Sequence, residues 1–220
     1  ILMVVPAGLV INQPDLGTSI LLLLGGSILI YLTGLSWRLI LSLGVLAIIG
    51  AFIAVKGISF GGQPIVNPLL HEYQLTRIEM LFDAEKDPDG KGYHIIQSKI
   101  ALGAGGLVGK GFGQGTQAKL EFLPESETDF IFAALGEEFG FIGALFLLIL
   151  YACIIGRCVL IAWHTQDNFS RLMVGTLSIT FACYICINIG MVIGLLPVVG
   201  VPLPLVSYGG TSLLTLLSSF

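Results

Sequence analysis

The stretch FGFIGALFLLILYACIIGRCVLIAW, Phe139–Trp163, decides the fold. It holds a single charge, Arg157, and is long enough as an α-helix to cross a hydrocarbon core about 30 Å thick, for which roughly 20 apolar residues suffice. A second run, Leu172–Leu196, follows it, and two more lie upstream at Thr18–Leu35 and Leu39–Val55. Ile1–Ile11 and Ser212–Phe220 read as partial segments of the same kind. The whole 220-residue chain is 55% hydrophobic and only 11% charged, with a mean hydropathy of +0.95. A soluble domain carries roughly a quarter charged residues, so lipid must be the solvent for much of this surface. The expected architecture is all-α: one polytopic membrane helix bundle over residues 1–220, multi-pass in its bilayer. The formal charge of −4 is small and scattered, which argues against a nucleic-acid partner. The chain starts and stops inside apolar runs, without a basic leader or a small-residue cleavage site, and is expected to be a fragment cut within a membrane segment at both ends.

Composition changes abruptly between the second and third spans. Residues 56–129 contain seven of the Lys/Arg and ten of the Asp/Glu residues. Apolar residues recur at helical spacing in two places, Leu75, Ile78 and Phe82, then Tyr93, Ile96 and Ile100. The segment is expected to be a large loop carrying two interfacial amphipathic helices joined by the turn Asp87-Pro88-Asp89-Gly90. Arg38 marks one short turn, and Arg157 and Arg171 flank another on the same side; the positive-inside rule makes that side cytoplasmic. The 56–129 loop, Gln13–Gly17 and Pro197–Ser207 then converge on the extracytoplasmic face.

Several motifs admit both a structural and a chemical reading. Gly103–Gly115 is glycine-rich, yet it fits neither the phosphate-loop nor the dinucleotide pattern. It reads as tightly turning backbone, with a weaker option that free N–H groups cradle a pyrophosphate. Asp129 stands between the polar run Pro124–Thr128 and the apolar Phe130–Ala133. There it serves either as a helix N-cap or as a general base whose proton affinity is raised by partial burial and by Glu127. Asp15 has the same two readings at the start of the Thr18 helix. Lys99, on the polar side of its helix beside Gln97, and Arg77 are the cations suited to phosphate oxygens. Cys153, Cys158, Cys183 and Cys186 all lie in apolar helices and read as packing residues. His71, His94 and His164 have no zinc spacing, so no metal ligands are assigned. Finally, Pro197, Pro202 and Pro204 prevent a continuous helix, and irregular backbone at membrane depth must be buried in protein or line a wet cavity. A re-entrant or cavity-lining turn is expected there.

The run Asn188–Ser212 resembles the signature of the shape, elongation, division and sporulation (SEDS) family of bacterial cell-wall polymerases, which includes FtsW, RodA and SpoVE. QPDLGTS at Gln13–Ser19, GYHIIQSKIALGAGGLVGKG at Gly92–Gly111, and Gly115–Ala133 resemble the same family. His94, Lys99, Gly115-Thr116-Gln117, Leu120-Glu121-Phe122 and Val198–Pro202 are similar to its RodA-like elongation branch rather than its division branch. The resemblance implies a ten-helix protein of the bacterial cytoplasmic (inner) membrane, of which this chain is about the C-terminal 60%. It implies a peptidoglycan glycosyltransferase polymerising lipid II beside a class B penicillin-binding protein, with cell elongation and rod shape as the outcome. Asp129 falls on the family's essential aspartate and Asp15 on the Asp of its QPD motif. Substrate contacts are expected from Asp15, Lys99, Arg77, Gln97 and Ser207, with a divalent cation as an optional helper and membrane lipid as the surroundings. Ser126-Glu127 stands where RodA-like chains commonly have Arg-His, which would favour a protonated Asp129 or a different proton relay. The alternatives are a lipid II flippase and, more distantly, a non-catalytic scaffold for the penicillin-binding protein.

Overall fold

The computed structural model describes residues 4–11, 16–34, 42, 45, 58–60, 63–66, 91–116 and 128–219. Among these, six helices and one hairpin follow in order: α1 (Val4–Ile11), α2 (Leu16–Leu32), β1 (Ile58–Phe60), β2 (Gln63–Val66), α3 (Lys91–Gly105), α4 (Ile131–His164), α5 (Asn168–Val192) and α6 (Gly210–Ser219). The expected helix bundle is present. The expected Leu39–Val55 span, the Leu75–Phe82 helix and the Asp87–Gly90 turn fall outside the described residues, apart from Ser42 and Val45.

α4 and α5 are each long and apolar enough to cross a membrane, with mean hydropathies of 2.6 and 1.9 over their best windows. Little of that surface is buried: Phe141, Ile142, Phe146, Ile149, Val159 and Ile161 are exposed along α4. A chain in water rarely exposes so large a contiguous apolar face, and hydrocarbon removes the penalty. α5 packs between α2 and α4, and α3 lies against the start of α4. The core where these helices meet includes Ile95, Phe130, Phe181, Ile185, Met191 and Leu203. At the Arg157–Arg171 turn, Asp167 caps α5 through bonds from the Ser170 N–H (2.9 Å) and hydroxyl (2.7 Å). Those bonds hold its carboxyl below the ordinary aspartate value.

Three features differ from the sequence expectation. The loop carries a short antiparallel hairpin, with Ile58 opposite Val66 and Phe60 opposite Gln63. Its cause is local, since β-formers flank Gly61-Gly62, a dipeptide suited to a two-residue turn. α5 ends at Val192 rather than Leu196, because Gly194 turns left-handed at φ 73°. Lastly, α4 begins at Ile131, eight residues before the expected span, and is broken at Gly140 (φ 66°, ψ −163°).

The break is filled by the glycine-rich segment after α3. Phe141 N–H donates to the Gly106 carbonyl (2.9 Å) and Ile142 N–H to Leu107 (3.1 Å). In the other direction Lys110 N–H donates to the Glu137 carbonyl (3.0 Å) and Gly111 N–H to Glu138 (2.9 Å). Backbone groups that the helix leaves unpaired are thus paired by the loop, as an apolar medium demands. The N–H groups of Lys110 and Gly111 therefore already have protein acceptors. Glu137 has no exposed side-chain surface and clasps the loop. Its Oε1 accepts from Lys110 Nζ (2.6 Å), from Thr116 N–H (2.9 Å) and from the Thr116 hydroxyl (2.7 Å).

A side chain at position 140 would meet backbone atoms of Leu107 and Gly109 in a region of φ/ψ space reserved for glycine. Gly140→Ala should therefore destabilise the full-length protein by at least about 1–3 kcal/mol, seen as a lowered unfolding temperature in detergent. Gly156→Ala, where a Cβ meets open space, should leave that temperature nearly unchanged.

Candidate active site

Three separate segments meet at one end of the bundle. The first is the start of α2, where an added Cβ at Gly17 would lie 2.5 Å from the Val199 carbonyl oxygen. The second is the entry to α4 at Thr128–Phe130, and the third is the irregular run from Gly194 to Gly209. The convergence expected from the sequence is present in these described residues.

The Pro-rich run is shaped by its missing donors. Prolines 197, 202 and 204 contribute no N–H, so carbonyls around them need partners from elsewhere. Tyr151 on α4 donates its hydroxyl to the Pro204 carbonyl (2.6 Å). Leu205 is held at φ 64°, a left-handed conformation uncommon outside glycine. The Ser207 hydroxyl closes the turn, accepting from Leu203 N–H (2.7 Å) and donating to the Thr128 carbonyl (2.6 Å). Asn188, fully buried on α5, spans the remaining gap. Its amide donates to both the Asp129 carbonyl (2.9 Å) and the Val201 carbonyl (2.7 Å).

Asp129 is consequently fixed through backbone on both sides, at the Thr128 carbonyl by Ser207 and at its own by Asn188. The N-cap position of α4 belongs to Phe130, which offers no side-chain cap bond. The Asp129 carboxylate is half-buried and lies beside Gly200, where an added Cβ would sit 3.4 Å from Oδ2. Lys99 reaches the same turn from α3. A Cβ at Gly194 would collide with its Cε, and Gly194 takes φ 73°. The placement of α3 is set by Ser98, whose hydroxyl donates to the Val192 carbonyl at the end of α5 (2.8 Å). At the Ser207 end of the run opens a cavity of about 460 Å³, lined mainly by Ile131, Leu205, Val206, Ser207, Tyr208 and Leu213.

The sequence candidates divide as follows. Asp129, Lys99 and Ser207 all meet the irregular Gly194–Gly209 run, Lys99 at Gly194, Asp129 at Gly200, and Ser207 within it with its hydroxyl bonded to backbone in both directions. Gln97 is half-buried on α3, two residues from Lys99. Asp15, Arg77 and Glu127 lie outside the described residues. No three His, Cys, Asp or Glu side chains gather into a metal site among the described residues. The four cysteines are unbridged thiols on α4 and α5. Sequence reading missed two groups. Glu137 was detectable as an ionisable residue within an apolar segment. His94 packs its ring 5.9 Å from that of Phe130, and its buried Nδ1 has no hydrogen-bond partner among the described residues.

Comparison with known proteins follows the same segments. The FtsW/RodA/SpoVE cell cycle protein family matches residues 1–220. The chain belongs to this family. The peptidoglycan glycosyltransferase MrdB of Escherichia coli (strain K12) is 53% identical over 221 residues, covering 100% of this chain and 56% of its own. Stage V sporulation protein E of Bacillus subtilis is 39% identical over 210 residues, covering 95% and 53%. A probable peptidoglycan glycosyltransferase FtsW of Trichlorobacter lovleyi is 37% identical over 215 residues, covering 97% and 52%. The chain spans about half the length of these curated relatives. In three dimensions it is similar to a chain of a solved peptidoglycan synthase complex, with a TM-score of 0.73 and 28% identity, over 97% of this chain and 55% of that one.

Asn188→Leu should strand the Asp129 and Val201 carbonyls in an apolar setting, at a cost of roughly 1–3 kcal/mol for each buried group left without a partner. The check is the thermal unfolding midpoint of the purified full-length protein together with its activity. Wild-type values of both would show that the amide does not hold the site.

Proposed function

We propose that the full-length protein polymerises the glycan of lipid II at the extracytoplasmic surface of the bacterial cytoplasmic membrane, with Asp129 as general base. The observation that carries this reading is a half-buried carboxylate whose segment is clamped through backbone at the entry to a membrane-crossing helix. The irregular run that clamps it also meets Lys99, at Gly194, and lines an apolar cavity at its Ser207 end. Such an arrangement suits a lipid-linked sugar, whose tail needs an apolar groove and whose head reacts at the surface.

The reaction joins the 4-hydroxyl of one N-acetylglucosamine to the anomeric carbon of N-acetylmuramic acid on the growing chain. A secondary alcohol is a weak nucleophile, so Asp129 takes its proton as the new C–O bond forms. The bond from the anomeric carbon to undecaprenyl pyrophosphate breaks in the same displacement. An α-linked donor then gives a β-linked product by one inversion, and no covalent glycosyl-enzyme is needed. Negative charge growing on the pyrophosphate is met by Lys99, with Arg77 as a second cation and Asp15 and Gln97 as further contacts to substrate. Ser207 contributes by holding Thr128, and so the segment that bears the base. A divalent cation bound by substrate oxygens would add to the same charge stabilisation. Kinship with a peptidoglycan synthase chain supports a class B penicillin-binding protein as partner, and with it a role in cell elongation and rod shape. The whole of residues 1–220 would then act as one polytopic unit, with Arg157 and Arg171 on the cytoplasmic side.

Purified full-length protein with its partner, given lipid II in detergent, should make glycan. Asp129→Asn should lower that rate by about 10²–10⁴-fold, the usual worth of a positioned base, while leaving the unfolding midpoint close to wild type. A wild-type rate from Asp129→Asn removes the base assignment. Detergent has no second leaflet, so a protein that only flips lipid II would yield no glycan there.

A further inference from the structure

The loop after α3 leaves three large apolar side chains pointing away from the protein: Leu107, Val108 and Phe112 are 71%, 75% and 83% exposed. They do not stand alone. The loop is bonded to α4 across the Gly140 break, and this puts them level with Phe139, Phe141 and Ile142, themselves 44%, 60% and 60% exposed. The rings of Phe112 and Phe139 lie 6.0 Å apart. One apolar surface therefore runs without interruption from the membrane-crossing part of α4 onto the loop.

Two further features fit this surface to hydrocarbon rather than to water. Part of the loop's backbone is paired within the protein: Gly109 N–H donates to Gly105 (2.8 Å), and Lys110 and Gly111 donate to Glu137 and Glu138. The carbonyls of Gly106 and Leu107 accept from α4. Unpaired backbone is what ordinarily keeps a non-helical segment out of a bilayer. The one charge in the stretch from Gly105 to Gly115, Lys110, is turned inward onto buried Glu137. A solvated loop tip would show the opposite pattern, with its lysine outward and its phenylalanine inward.

We infer that the Leu107–Phe112 loop is a membrane wedge, its apolar tip seated among the acyl chains of the leaflet on the side of the site. It sets the depth at which the first half of α4, and with it Asp129, stands relative to the bilayer. The inference rests on α4 crossing the membrane and not on the reaction assigned to Asp129, so each can fail without the other.

The test places a single tryptophan in the full-length protein, with the native ones replaced, at Phe112→Trp. The protein is reconstituted in phosphatidylcholine vesicles with or without bromine on the acyl chains. Brominated lipid should quench the introduced indole as strongly as it quenches a control at lipid-facing Phe146→Trp, while aqueous iodide leaves it unchanged. Quenching by iodide and not by bromolipid would put the loop in water and overturn the proposal. Resistance to both would mean that protein covers the loop and would overturn it equally. Val108→Trp, on the same tip, gives the same readings should Phe112→Trp fail to fold.

Discussion

The side-chain amide of Asn188 holds the functional end of the bundle together. It is buried on a helix where water cannot replace it, and its two N–H bonds reach carbonyls that belong to different segments. Both carbonyls need it for the same reason. At the entry to α4 the Ala133 N–H is given to the Phe130 carbonyl rather than to that of Asp129, and the run from Gly194 to Gly209 is deprived of donors by its prolines. A bundle in lipid has no solvent to satisfy such groups. The donors must be side chains, and Asn188, Ser207 and Tyr151 are the ones in place. Once they bind, the turn is fixed, and Lys99 and Asp129 stand against it from α3 and α4.

The same requirement governs the other irregularity. At Gly140 the helix stops being helical for one residue, and the loop from Gly105 to Gly111 supplies the missing partners strand-like, two bonds in each direction. Glycine is needed on both sides of this contact. A Cβ at Gly105 would strike the Gly136 carbonyl, and one at Gly109 would strike the Glu138 carbonyl. Glu137 adds the clasp. A fully buried carboxylate with a single lysine would be a poor source of stability, but here it also accepts two bonds from Thr116, so the loop's far end is tied to the helix that begins two residues after Asp129.

How much of this is legible in the sequence depends on distance along the chain. Apolar runs are local, and α2, α4 and α5 were found where expected. The expected start of the third span, Phe139, falls next to the break at Gly140: hydropathy marks where the lipid-crossing part begins, but not that the helix backbone starts earlier, at Ile131. Prolines 197, 202 and 204 are equally local, and they foretold an irregular cavity-lining run. The contacts that make a site are not local. Asn188 lies 59 residues from Asp129, Ser207 lies 79 from Thr128, and Ser98 lies 94 from Val192. Nothing in hydropathy or spacing selects those pairs. Family resemblance pointed to Asp129 and Lys99, whereas the grip on Thr128 and Asp129 needed coordinates. The hairpin at Ile58–Val66 escapes hydropathy for another reason, since its strands of three and four residues are too short to show a period.

Both clamps on the 128–129 segment seize main-chain oxygens. Two of the bonds that place position 129 are therefore made to main-chain oxygens and do not depend on the identity of its side chain. At Asn188 the identity of the side chain does count, because the amide that positions the segment is also what keeps two carbonyls paired in an apolar medium. This end of the bundle is built from secondary-structure irregularities that repair one another: the run without donors, the helix start whose Ala133 N–H bypasses the Asp129 carbonyl, and the helix interrupted at Gly140. Each alone would be an unsatisfied defect in a bilayer. Joined through Asn188, Ser207 and Glu137, they supply one another's missing partners and fix the 128–129 segment against the rest of the bundle.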